Sequence, residues 1–85
     1  MKYYIAEINE RNGDMEYDTK YLFATEGNPD DHSKNVAMEW RGGDESDWDE
    51  DQEGYWSDCS LIFDSGYTEI PKKDFDILRK YLSVL

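Results

Sequence analysis

Residues Lys2 to Thr25 read KYYIAEINERNGDMEYDTKYLFAT, and this stretch decides the fold. Lys2 to Arg11 alternates apolar and polar side chains as a half-buried strand does. Asn12-Gly13 follows, a strong short hairpin signal because a type I′ turn needs positive φ at both central residues. Asp14 to Thr25 is the predicted return strand. A two-residue loop at Asn12-Gly13 pairs Arg11 with Asp14, Ile8 with Tyr17, Ala6 with Thr19 and Tyr4 with Tyr21. The last three pairs share one face and are nearly apolar, so turn and pattern agree. The other face pairs Ile5 with Lys20 and Tyr3 with Leu22, and sets Glu7 against Asp18. That like-charge pair calls for a different register or a use for an acidic face.

Beyond the hairpin, Glu26-Gly27 breaks the strand. Asn28-Pro29-Asp30-Asp31 then opens a helix: Asn28 caps it, Pro29 suits the first position, and two aspartates meet the positive end of the dipole. His32, Val36, Ala37 and Trp40 fall on one side of this helix, and Gly42-Gly43 ends it. From about Tyr55 to Asp64 the pattern is strand again, with Cys59, Leu61 and Phe63 alternating with Ser60, Ile62 and Asp64. Ser65-Gly66 reads as a turn and Tyr67 to Ile70 as a short fourth strand. Pro71 stops it and opens a last helix, Lys72 to about Ser83, whose Phe75, Leu78, Leu82 and Leu85 form an apolar stripe. The expected fold is one α+β domain over residues 1–85 in ββαββα order. Its antiparallel sheet has about four strands, with two helices on one face.

The segment from Asp44 to Asp58, DESDWDEDQEGYWSD, carries eight of the 21 acidic residues and no Lys or Arg. Nothing basic occurs from Gly42 to Pro71, so this part of the chain supplies most of the formal net charge of −12. It reads as an acidic loop over about residues 42–56, a length that in a small domain points either to function or to disorder. Trp48, Tyr55 and Trp56 sit within or beside it.

Composition narrows the function classes. Hydrophobic residues make up 38% of the chain but aromatics reach 15%, enough for a small aromatic core. A single cysteine, Cys59, excludes an intramolecular disulfide and points to a reducing, cytoplasmic setting. The opening MKYYIAEI is broken by Glu7 and is not expected to be a signal peptide, and no apolar run reaches membrane-spanning length. The acidic balance argues against direct contact with nucleic acid or an anionic membrane and favours basic protein surfaces or metal ions.

Enzymatic readings find little support. His32 is the only histidine, placed near a helix start, and Cys59 is expected in a strand beside Leu61 and Phe63 as a buried thiol. Carboxylates are abundant, yet paired acids need an enclosed cleft to do chemistry. No cofactor is expected. Asp49 to Ser57 fits part of a calcium loop, with Asp49, Asp51 and Glu53 as alternating oxygen ligands, Gly54 at the sharp turn and the Tyr55 carbonyl next. Ser60 stands where a bidentate glutamate is required, and no helix is expected on either side.

If the segment is extended, carboxylates at 47, 49, 51 and 53 project on one side about 6–7 Å apart. In size, acidity and element order the chain resembles the small acidic inhibitors encoded by phages, anti-CRISPR proteins and other nucleic-acid mimics among them. The resemblance spans the chain in composition and rests on the acidic run with its aromatics; those families share no motif, so no residue role is carried over. It implies a stoichiometric inhibitor that occupies the basic groove of a nucleic-acid-binding protein. The expected partner-binding residues are Asp47, Asp49, Glu50, Asp51 and Glu53 as charged contacts, with Trp48 and Trp56 as anchors. The alternatives are a divalent-ion domain using Asp49, Asp51, Glu53 and Tyr55, and a homodimer joined at an open sheet edge.

Overall fold

The computed structural model describes residues 1–40 and 42–85. Five strands form one antiparallel sheet: β1 (Lys2–Asn12), β2 (Met15–Thr25), β3 (Trp48–Asp49), β4 (Gly54–Ser57) and β5 (Ser60–Ile70). Their spatial order is β2-β1-β5-β4-β3, so the two long strands β1 and β5, and the short β4, lie inside. The helices are α1 (Pro29–Glu39) and α2 (Lys72–Leu78), and a single 3₁₀ turn covers Glu45–Asp47.

The β1–β2 hairpin forms, two residues away from the expected register. Asn12 pairs with Met15, Ile8 with Thr19, Ala6 with Tyr21 and Tyr4 with Phe23. The loop is Gly13-Asp14, with positive φ at Gly13 and not at Asp14, the requirement of a type II′ turn. A shift of two preserves which face each side chain takes. It also removes the expected clash, since Glu7 now faces Lys20 and Asp18 faces Asn9. The Asn9 amide donates to both Asp18 (2.7 Å) and Glu16 (2.8 Å).

Side chains at Tyr4, Ala6 and Ile8 of β1, Tyr21 and Phe23 of β2 and Ile62 of β5 are buried against Ala37 of α1. The ring of Phe23 is stacked between Tyr4 (centroids 4.8 Å) and His32 (4.4 Å). Helix α1 begins as its sequence directs: the Asn28 side chain accepts from the Asp30 amide, a cap worth about 1 kcal/mol. The Trp40 indole donates to Glu10, which is buried on the same sheet face.

The expected count of four strands in ββαββα order is corrected to five in ββαβββα order among the described residues, for local reasons. The stretch Tyr55–Asp64 is not one strand, because the chain reverses at Asp58-Cys59 between β4 and β5. Cys59 is consequently exposed in a turn rather than buried. Ser65-Gly66 is not a turn but a bulge within β5, where Ala6 pairs with Tyr67 and Ile8 with Asp64. The extra residue is accommodated at Gly66, with φ of 104°. The bulge reverses the alternation, so that Ile62 and Asp64 before it and Tyr67 after it all face α1.

The two helices do not share a face. Phe75 of α2 packs on Tyr3 (centroids 4.9 Å), which alternates with Tyr4 and so lies opposite α1. Helix α2 also stops at Leu78 rather than continuing to Ser83. The tail instead runs beside the outer edge of β2, where the Leu22 amide donates to Ser83 and the Leu85 amide to Leu22. Open edge groups are strong partners for a nearby chain, and they outcompete further helix here. No helix among the described residues is long and apolar enough to cross a membrane.

Gly66→Ala is expected to lower stability by ~1–3 kcal/mol, because a Cβ is strained at this φ; urea denaturation measures it, with Ser65→Ala as the near-neutral control. At high pH a second loss is expected. Burial and then Asp64 hold the Tyr21 hydroxyl above the ordinary value of 10.0. The hydrogen bond to Asp30 and then burial push Tyr67 up to about 12. The unfolded chain therefore releases these protons first, and stability should fall as pH rises from 10 towards 12. Tyr67→Phe should flatten that fall, as read from the midpoint of thermal unfolding against pH.

Candidate binding surface

The acidic segment is folded, and part of its charge builds it. Asp44 caps the 3₁₀ turn by accepting from the Ser46 amide (2.8 Å) and hydroxyl (2.5 Å). Asp47 answers by accepting from the Asp44 amide (2.9 Å), which closes a reciprocal capping box. The Ser46 hydroxyl, and then its amide, hold the Asp44 carboxyl below the ordinary aspartate range.

Next comes a short hairpin. β3 pairs with β4 through Trp48–Tyr55 and Asp49–Gly54, around the loop Glu50 to Glu53. Asp49 is its staple. One oxygen accepts from the amides of Asp51 (3.0 Å) and Gln52 (3.2 Å), the other from the Trp56 indole (2.9 Å). The bond from Trp56 and then that from Gln52 lower the Asp49 pKa.

Strand alternation fixes where the aromatics point. Trp48 lies opposite Tyr55 and packs edge-on against it (centroids 4.8 Å, 61°) on the α1 side of the sheet. Trp56 follows Tyr55 and lies on the other side with Asp49. The two expected anchors are both partly exposed, Trp48 at 38% and Trp56 at 43%, but they do not share a surface.

The carboxylates divide likewise. Asp47 and Asp49 are committed to the segment's own backbone and indole. Glu50, Asp51 and Glu53 are exposed at the loop tip and make no side-chain hydrogen bond or ion pair among the described residues. The row expected from 47, 49, 51 and 53 does not form, because these positions run through a 3₁₀ turn, a strand and a loop. Asp49, Asp51 and Glu53 are not brought together as a calcium loop requires; no group of three or more His, Cys, Asp or Glu is placed to hold a metal among the described residues.

Between α1 and the hairpin lies a cleft of about 310 Å³, lined by Lys34, Trp48, Glu53, Tyr55 and Asp64. A neighbouring hollow shares Lys34, Trp48 and Tyr55 and adds Glu45. Asp64 is held in place by the Ser33 hydroxyl (2.7 Å) and the Gly66 amide (3.1 Å). Burial, then Glu45 and Asp64, raise the Tyr55 hydroxyl pKa. Sequence reasoning missed Lys34, and it did not place Glu45 and Asp64, read only as further carboxylates of an acidic surface, beside a cleft. Asp64 alone carried a signal: it shares the alternation of Ile62 and is therefore a charge on the face that packs against α1.

Charge is unevenly spread along β1. Lys2, Lys72, Lys73, Arg79 and Lys80, five of the nine basic residues, belong to the end where Tyr3 meets α2, interspersed there with Glu69, Asp74 and Asp76. The hairpin borders the other end, where β5 pairs with Glu10 and Arg11. His32 stacks flat on Phe23 and its ring nitrogen contacts the Leu85 carbonyl oxygen (2.9 Å), which suits a packing role. Comparison with protein-family models, curated proteins and solved structures finds no match to this chain.

The Asp49 staple predicts an acid transition confined to the hairpin. Its folded pKa lies below the ordinary 3.8, so its contribution is complete above that value and lost as pH falls through the lower folded one. The Trp56 indole N–H resonance should therefore move with a midpoint below 3.8, and Asp49→Asn should abolish that titration.

Proposed function

We propose that this chain is a non-catalytic acidic binding module that engages a basic protein surface, most concretely the nucleic-acid-binding groove of a partner. The observation that carries this reading is uneven charge: carboxylates gather without cations in the segment at the hairpin end of β1, while five of the nine cations lie at the α2 end, mixed with carboxylates. Attraction is long-ranged and sign-specific, so an end dominated by carboxylates steers a cationic partner toward itself and away from anionic polymers.

Glu50, Asp51 and Glu53 are the charged contacts, presented by a loop that Asp49 and the capping box hold in shape. Trp48, beside them, is the aromatic contact. Asp47 and Asp49 act through the shape of the segment, and Trp56 belongs to the opposite face. A groove that binds phosphates offers arginine and lysine at short spacing, and this acidic end is complementary to it. The reading is of an inhibitor by occupancy, in keeping with the compositional resemblance to phage-encoded inhibitors.

The test is capture from nuclease-treated bacterial lysate at low salt, followed by competition. A retained nucleic-acid-binding protein should release its DNA or RNA when this chain is added, in proportion to the amount added. Changing Glu50, Asp51 and Glu53 together to Gln, Asn and Gln should weaken the pair by about tenfold or more at 50 mM salt and by much less at 500 mM, since exposed charges are screened. Retention that ignores both salt and these substitutions, or nucleic acid that stays bound, would overturn the reading.

A further inference from the structure

The cleft between α1 and the hairpin has a chemistry of its own. The edge-on pair Trp48 and Tyr55 lines it with Glu53, Asp64 and, as the one cation among the described residues, Lys34; an adjoining hollow that shares Lys34, Trp48 and Tyr55 adds Glu45. Among the described residues, the two hollows together set three carboxylates against one ammonium beside the partly exposed Trp48 ring. Lys34 does not neutralise this site: it makes no ion pair among the described residues. Asp64 is fixed by Ser33 and Gly66, and each carboxylate oxygen keeps a further lone pair to offer.

We infer that this cleft is a receptor for one arginine side chain of the basic partner, with the guanidinium stacked on Trp48 and forked onto the carboxylates. The inference rests on the proposed engagement of a basic surface and names the group recognised. Planarity selects arginine over lysine: the guanidinium stacks on an aromatic face and presents paired N–H groups to a carboxylate. An ammonium offers neither the flat face nor the fork. A volume of about 310 Å³ is ample for one such side chain. It also reaches the lower end of the roughly 300–1,000 Å³ found for small-ligand pockets. Lys34 lines the cleft as a like charge and holds affinity down.

The test uses the ¹⁵N-labelled full chain titrated at low salt with blocked hexapeptides carrying two arginines, two lysines or two citrullines. With the arginine peptide, the Trp48 indole N–H and the Tyr55 amide should shift and saturate. The lysine peptide should bind at least threefold more weakly, and the neutral citrulline peptide should leave both signals unmoved. Trp48→Leu should weaken arginine binding about tenfold. Because Trp48 also packs on Tyr55, Glu53→Gln serves as a second, gentler variant with an expected loss of about threefold. Trp56→Leu, on the other face, should change affinity less than twofold. Lys34→Gln should tighten binding about threefold, whereas a site built for anions would lose affinity.

If arginine and lysine peptides bind alike while shifts gather at Glu50 and Asp51 and spare Trp48, the cleft is not the receptor, and the broader acidic reading stands. If neither cationic peptide binds, both fall together.

Discussion

The structure depends on β1 being shared. It is paired along its length by β2 on one side and, but for the bulge and its two ends, by β5 on the other, so most of its backbone is satisfied and its side chains remain to be placed. Tyr4, Ala6 and Ile8 go to the α1 side and make the core; Tyr3 goes to the opposite side and receives α2. With 38% hydrophobic residues the chain can fully cover one sheet face and only part of the other. The positions of the remaining elements follow. β5 must bring Ile62 and Tyr67 to the same face from opposite sides of an odd count, and the bulge at Gly66 is how it does so.

What the sequence made legible is what hydrophobic periodicity and capping express. The faces of the β1–β2 hairpin were readable although its register was not, because a two-residue slip leaves every side chain on its own face. The tie between the registers was broken by pairings a single face does not reveal: Phe23 over Tyr4, and Lys20 rather than Asp18 against Glu7. Helix α1 was readable from Asn28 and Pro29, whose local chemistry is decisive.

What escaped has equally local causes. Ser65-Gly66 has the composition of a turn and is used as a bulge, two fates distinguished only by whether β1 is there to pair. The reversal at Asp58-Cys59 carries no glycine, with Asp58 taking φ of 52°. The segment from Asp44 to Glu53 read as a loop because its order comes from carboxylates bonding to backbone amides, a source of structure that no apolar pattern records. Without the β3–β4 pairing, the opposite orientations of Trp48 and Trp56 could not be seen, and neither could the approach of Lys34 and Asp64 to Trp48.

A dense acidic segment faces a conflict. Like charges repel, and a loop free to relieve that repulsion would spread apart and lose any defined shape. Here the conflict is reduced by assigning roles. Asp44, Asp47, Asp49 and Asp64 each accept hydrogen bonds from amides, hydroxyls or an indole, which spreads their charge into donors and ties the segment to the sheet. Glu45, Glu50, Asp51 and Glu53 then project from a frame that is already built. A partner meeting those groups need not supply the free energy to order them, and that saving appears directly in affinity. The same arrangement explains why neutralising a staple and neutralising a presenter are different experiments: the first removes the shape of the surface, the second only its charge.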